Sequence, residues 1–426
     1  MSLIEAVNIS IKNINFNNIK IETNETISNV GIIAMLRGTL DKVNFNEVEI
    51  RANNATNIGC IGYTMGVSQN INLSNINVLW KTQVGGLVGK GYADIQYIQG
   101  NNLAVTGTSN YVGGIVGYTK EDVLYVEVSE VDVSGNNYTG GILGILSPSG
   151  VNYSHDLIVK NSNIKGKDYV GGIKGTISSR GDGKNEIYDS NVTGTGSYIG
   201  GIVGADYGSA EGSIKVENCT IKGIGTKSNY VGGITGKGNG TTNRNYIKNT
   251  TIESTGSYIG GLKGNMNSSN HLVGNYVENV IIRGYSEVGG LLGSGRAASI
   301  YKNYVFAIIS AENSNAGGII GKLENENMTA VDNNSSIYYN YVANSNLKAK
   351  SNVGGLIGNI VEDLYMPENY YYSNFIEAYL ESEEDTSISL GIGNRADQNQ
   401  YLKDTYYYKY SSINGENPNV QNEVFI

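Results

Sequence analysis

The stretch Gly196-Ser197-Tyr198-Ile199-Gly200-Gly201-Ile202-Val203-Gly204 returns, seven letters of nine unchanged, as Gly256-Ser257-Tyr258-Ile259-Gly260-Gly261-Leu262-Lys263-Gly264. Its kernel is Gly-Gly-[Ile/Leu]-x-Gly, usually after an aliphatic residue. The first glycine of that kernel falls at Gly85, Gly113, Gly140, Gly171, Gly200, Gly232, Gly260, Gly289, Gly317 and Gly354, spaced by 28, 27, 31, 29, 32, 28, 29, 28 and 37 residues. Weaker copies stand at Gly31, at Gly59 and in the "SLGIGN" that ends at Asn394. A near-constant period of this kind is the signature of a repeat architecture, in which one unit buries its apolar face only against copies of itself.

Three further columns travel with the glycines. An aliphatic residue precedes most Gly-Gly pairs by seven or eight positions: Val78, Val105, Val133, Ile164, Val192, Ile252, Ile282, Ile309 and Leu347, with Ile221 eleven before in a coil that carries an insertion. Three residues upstream of it stands Asn in most copies (Asn75, Asn102, Asn161, Asn218, Asn249, Asn279, Asn344), Asp189 in one, and Glu130 and Phe306 as exceptions. Two residues before Gly-Gly, Tyr recurs in six consecutive copies: Tyr111, Tyr138, Tyr169, Tyr198, Tyr230 and Tyr258.

Segments such as "SIKVENCTIKG" are short, β-branched and bounded by glycine, so they read as strands. A propeller blade needs roughly 40 residues or more for four strands, and the period here is about 29. The expected fold is therefore all-β: a single-stranded parallel β-solenoid, right-handed by the usual crossover rule, of about 12–13 coils. Equivalent residues then lie about 4.8 Å apart, close enough for amide ladders and stacked rings. Residues 1–28 read as an N-terminal cap or first coil, 29–360 as the solenoid body, and 361–426 as an irregular last coil and C-terminal cap.

The motif also predicts which side chains face in. The position after Ile202 accepts Lys174, Lys263 and Thr235 as well as Val203, which implies an outward side chain. Ile199 and Ile202 are both expected inside, so the alternation must break between them. A positive φ at Gly200-Gly201 is the expected break, and Gly204 is expected where neighbouring backbone leaves no room. The two cysteines, Cys60 and Cys219, lie several coils apart in sequence, too far for a disulfide, and should be free and buried. The Tyr column has two readings, an exposed aromatic strip for a sugar or partner chain, or a half-buried brace at the bend. The brace is favoured, because the column gives way to Glu287, Asn315 and Asn352, polar residues that imply access to water.

Bulk chemistry removes some function classes. With 39% hydrophobic and 16% charged residues the chain has too many aliphatics for disorder. A net charge of −9 offers no basic footprint for nucleic acid. No apolar run reaches the length of a membrane span, and the start, "MSLIEAVNISIKNINFN", lacks the order of a signal peptide. The two histidines, His155 and His271, stand in no His-Glu-x-x-His motif, are placed in loops between coils, and read as surface residues. Carboxylates of the variable loops (Asp182, Asp206, Glu211, Glu324, Glu326, Glu362, Asp363) form no evident hydrolase pair. No catalytic residue, metal ligand or cofactor site is assigned, and a monomer is expected.

The kernels "VGGLVGK" at Val84 and "VGGLIGN" at Val353 resemble the GLUG repeat, over about residues 30–395. That repeat is known from large bacterial surface proteins, including the non-catalytic N-terminal part of streptococcal-type immunoglobulin A-specific zinc metalloproteases, and from filamentous adhesins. The Tyr-rich tail, with "NYYYSNF" and "DTYYYKYSSING", is similar to the endings of such arrays. The resemblance implies an exported or wall-attached protein of a Gram-positive bacterium, in which the solenoid spaces, shields or docks, with a host protein or glycan as partner. The family's zinc ligands have no counterpart in this chain. Three functions follow as expectations: a binding and spacing solenoid of such a protease, an adhesin stalk, or a carbohydrate-cleaving β-helix.

Overall fold

The structure is a computed structural model that describes residues 2–425 except 148–151, 178–182, 208–209, 212, 227, 268–269, 297–298, 325–335, 362–370, 384–386, 396–401, 404, 409 and 417–423. Among them there is no α-helix, and the strands pair in parallel, with one isolated antiparallel bridge between Ile413 and Glu416. The fold is the expected β-solenoid, with about 12 coils of about 29 residues. The chain divides into two compact units, Met1–Thr195 with Ile199–Ala210, and Gly196–Tyr198 with Glu211–Ile426.

In the first unit the coils up to Leu146 contribute three strands each, and the next two contribute four, their long strand being split after Lys160 and after Tyr188. Long strands Ile11–Thr23, Leu40–Ala52, Ser68–Leu79, Ile95–Thr106 and Val123–Ser134 pair in register, as in Val78↔Val105↔Val133. Short strands such as Val112–Gly113 and Thr139–Gly140 carry the first motif glycine. After the motif bend come strands such as Val88–Gly91 and Val116–Thr119, with Val88↔Val116↔Leu143. The second unit repeats this plan in Tyr276–Gly289, Tyr304–Gly317 and Tyr341–Ala349, and the pairing continues past Ile360 into Phe375–Ser382 and Ile392–Arg395. It adds a narrow third sheet through Thr241–Asn243, His271–Val273 and Ser299–Tyr301.

The core is the set of aliphatic columns between these strands. Val78, Val105, Val133, Ile164 and Val192 are fully buried in one unit, and Ile221, Ile252, Ile282, Ile309 and Leu347 in the other. Each such side chain contributes roughly 1.5–3 kcal/mol by leaving water. Cys60 and Cys219 are free and buried, and burial pushes the Cys60 thiol well above its ordinary pKa.

The glycine kernel works differently from the expected bend. The described glycines with positive φ are Gly183, Gly274, Gly295 and Gly415, and none belongs to the motif. The motif glycines are required by close approach. A Cβ on Gly172 would fall on the carbonyl oxygen of Gly201, one on Gly261 on that of Gly290, and one on Gly171 within 2.6 Å of the Ile202 carbonyl oxygen. Gly204 has the expected lack of room, with the backbone of Val170 and Gly175 2.6 Å from a built Cβ. Positive φ sits instead on the residue two before the kernel: Tyr111 (66°), Tyr138 (59°), Tyr169 (57°), Tyr198 (65°), Tyr230 (62°) and Tyr258 (69°).

The facing of the next position is also corrected. Ile199 and Ile202 are both buried as expected, but so are Val203, Thr235, Lys174 and Lys263. Gly201 and Ile202 form the bend themselves, so the following strand starts afresh with its first side chain inward. The two lysines fit inside because each ammonium donates to a main-chain carbonyl, Lys174 Nζ to Ser154 at 2.6 Å and Lys263 Nζ to Gly240 at 2.7 Å.

Close approach and φ separate in a pair of variants. Gly172→Ala should lose about 1–3 kcal/mol, because the obstructing atoms are backbone and cannot move aside. Gly274→Asn keeps a residue tolerant of φ +62° and meets nothing nearer than Arg244 Cγ at 3.7 Å, so it should stay within about 0.5 kcal/mol of the parent. Urea unfolding midpoints measure both, and equal losses would contradict the assignment.

Candidate functional site

Three columns of left-handed residues turn most coils. In the first unit one column runs Asn13, Lys42, Asn70, Tyr97, Tyr125 and Asp156; its counterpart in the second holds Arg244, Gly274, Lys302, Tyr339 and Ser373. Another is the Asn column expected as a ladder, including Asn75, Asn102, Asn161, Asp189, Asn218, Asn249, Asn279 and Asn344. The Tyr column is the third. None of the described positive-φ residues is Val, Ile or Thr, since a β-branched side chain clashes in this conformation whereas Asn tolerates it.

The Asn column is both corner and ladder. Asn102 Nδ2 donates to Asn75 Oδ1 at 2.7 Å, and Asn279 Nδ2 to Asn249 Oδ1 at 2.8 Å. Phe306 is not a substituted member of the column: it pairs with Glu278 while Val280 pairs with Ala307, so its coil lacks the corner residue altogether. An extra residue after Ala311, opposite the step from Gly284 to Ser286, restores the register.

The six tyrosines of the third column are half-buried. Ring centroids lie 5.2 Å apart for Tyr111–Tyr138, 4.7 Å for Tyr138–Tyr169, 5.1 Å for Tyr198–Tyr230 and 4.8 Å for Tyr230–Tyr258, with planes within 19° of parallel. Tyr138 and Tyr230 therefore have a stacked ring on both sides. Burial raises the pKa of the Tyr138 and Tyr169 hydroxyls. The column continues as polar ladders, with Asn57 Nδ2 donating to Asn29 Oδ1 at 2.6 Å and Asn352 Nδ2 to Asn315 Oδ1 at 2.8 Å. Access to water fits Glu287 and Asn352, which are half-buried, but not Asn315, which is buried and donates to Glu287 Oε1 at 3.2 Å; partial burial pushes the Glu287 carboxyl up.

A second Asn ladder escaped the sequence reading. Asn245, Asn275, Asn303, Asn340 and Asn374 are buried, and each amide bonds the next, as in Asn275 Nδ2 to Asn303 Oδ1 at 2.9 Å and Asn340 Nδ2 to Asn374 Oδ1 at 3.1 Å. Its signal was the recurring Asn-[Tyr/Phe]-[Ile/Val], which lies in the segment between kernels. The aromatic that follows each Asn forms an outer row, Tyr276, Tyr304 and Tyr341 among them, tilted rather than stacked.

The first unit also carries a surface groove of about 840 Å³. Its floor is the outward column Asn15, Asn44, Asn72 and Gln99, and one wall holds Tyr97 and Tyr125, whose rings are 4.8 Å apart and parallel within 1°. Asn44 Nδ2 donates to Asn15 Oδ1 at 2.6 Å and Asn72 Nδ2 to Asn44 Oδ1 at 2.8 Å. Nothing in the repeat marks this place, because its floor and wall come from several coils and only their stacking brings them together.

Both histidines lie on strands, not in loops, because the parallel register extends into those segments: His155 in Ser154–Lys160 and His271 in His271–Val273. His155 Nδ1 is 2.7 Å from Asp156 Oδ2, and its ring meets that of Tyr125 edge-on at 5.8 Å. Among the described residues no group of three or more His, Cys, Asp or Glu side chains could hold a metal ion. Asp206 is buried and Glu324 pairs with Lys322 at 2.9 Å; Glu211 is on a short strand, while Asp182, Glu326, Glu362 and Asp363 lie outside the described residues. Compared with known families, curated proteins and solved structures, the chain matches none.

The corner conformation gives the Tyr column a sharp test. Tyr230→Asn keeps a residue suited to φ 62° and should lose only stacking, about 1–2 kcal/mol. Tyr230→Val should fall at least about 1 kcal/mol lower still, from left-handed strain on a β-branched residue. Thermal unfolding of the two variants measures the order, and a Val variant as stable as the Asn variant would contradict it.

Proposed function

We propose that the chain is a non-catalytic β-solenoid that binds and spaces, as part of a secreted or wall-attached bacterial zinc metalloprotease acting on host immunoglobulin or glycoprotein. The observation that carries the non-catalytic part is how the repeated polar and aromatic groups are used. Asn amides bond Asn amides and Tyr rings stack on Tyr rings from coil to coil. Groups engaged this way tie one coil to the next, whereas catalysis needs groups converging on one reacting atom. The likeness of the kernels to the GLUG repeat supports an exported protein of Gram-positive origin and the association with a protease. An adhesin stalk uses the same architecture, and the gene downstream separates the two: a His-Glu-x-x-His sequence belongs to the first reading and its absence to the second.

Incubated with immunoglobulin A or a heavily glycosylated mucin, the purified chain should leave both intact on a denaturing gel and retain one of them on a pull-down. Release of peptide or sugar fragments by the chain alone would overturn the non-catalytic reading.

A further inference from the structure

We infer that the groove of the first unit is a binding site for a neutral oligosaccharide lying along the coil axis. The inference rests on the reading of the chain as a binder, and adds the place and the class of ligand. Its floor repeats one chemistry over four successive coils, Asn15, Asn44, Asn72 and Gln99, which spans about 14 Å at the spacing of parallel strands. An amide both donates and accepts, as a sugar hydroxyl does. Each ladder bond from Asn44 or Asn72 uses one N–H, so a second N–H on each of these side chains remains for a ligand. All four floor residues are exposed.

The wall supplies what a sugar ring needs besides hydrogen bonds. Tyr97 and Tyr125 are 48% and 43% exposed, far more open than the half-buried Tyr column. They stack on each other through one face only. Tyr125 also meets the His155 ring, roughly perpendicular to it at 5.8 Å. The far side of Tyr97 faces the coil of Asn70, whose shorter side chain turns back to bond Asp41 Oδ1 at 2.8 Å. The outer part of that Tyr97 face is thus open beside the amide floor, a platform for the C–H face of a pyranose. The site combines one apolar face with a few placed polar groups, as small-ligand sites do.

The charges at the groove sum to near zero, which suits a neutral ligand: Glu127 is paired with Lys160 at 2.6 Å, and Lys42 and Asp156, both in the lining, carry opposite signs. A peptide strand has no edge to join here, because the backbone groups of these strands are already paired between coils.

Titration calorimetry of the whole chain with neutral hexasaccharides of glucose, N-acetylglucosamine, mannose and xylose, and with an oligogalacturonate, tests this. Tyr97→Asn is the decisive variant, since Asn70 already occupies the same corner column with φ 53° and the fold should be kept; the exposed Gln99→Ala is the second, and Tyr276→Ala in the other unit is the control. At least one neutral hexasaccharide should bind saturably, with affinity about tenfold lower in Tyr97→Asn, reduced in Gln99→Ala and unchanged in Tyr276→Ala. No neutral sugar bound, binding of the acidic sugar alone, or equal affinity in Tyr97→Asn would overturn the site. Chromatography of the same samples reports cleavage separately: shortened sugar, with Tyr97-dependent binding, supports the groove and contradicts the non-catalytic reading.

Discussion

The carbonyl oxygen of one coil stands where the next coil would carry a Cβ. This contact, repeated from Gly114 on Gly141 to Gly318 on Gly355, is the constraint on which the rest depends. Two backbones can pass this closely only if the facing residue has no side chain, so the coils between Gly86 and Gly355 carry glycine at this place, whereas Ile32, Cys60 and Leu390 hold it in three other coils. Once they are there the register is locked. A slip by one residue would drive a side chain into the backbone and turn the aliphatic columns outward. Locked register then makes every position a column, and a column of identical side chains must either bond itself or repel itself.

The corners show how the columns resolve this. A left-handed non-glycine residue costs about 1–2 kcal/mol. Asn lowers that cost through its short polar side chain and gains an amide ladder. Tyr has no such tolerance, yet six occupy one corner column, where each stacked pair contributes about 0.5–1.5 kcal/mol. The two are of similar size, so stacking offsets much of the corner strain. It also consumes the ring faces, which is why the long Tyr column reads as a brace, while the short pair Tyr97–Tyr125 keeps an open face.

The period, the aliphatic columns, the break between Ile199 and Ile202, and the free buried cysteines were legible in the sequence, because each depends on residue type at a repeated position. Positive φ was misplaced onto Gly200-Gly201 because glycine is the usual carrier; nothing in a tyrosine's identity announces a left-handed backbone. Lys174 and Lys263 read as outward because a lysine is rarely enclosed, and the main-chain carbonyls that accept from them are set by tertiary structure. The buried Asn245–Asn374 ladder stayed hidden because the coils were aligned on their kernels and that Asn lies in the segment of variable length. The groove stayed hidden for a different reason: its floor and wall come from several coils, and only their stacking places them together.

The most direct test of this account is the backbone torsion at the corners, measured by cross-correlated NMR relaxation in a segmentally labelled chain. The account predicts φ near 54° at Asn102, 59° at Tyr138 and 62° at Tyr230, with ordinary negative φ at the kernel glycines that follow. Extended φ at the tyrosines, with positive φ at Gly140-Gly141 and Gly232-Gly233, would contradict it.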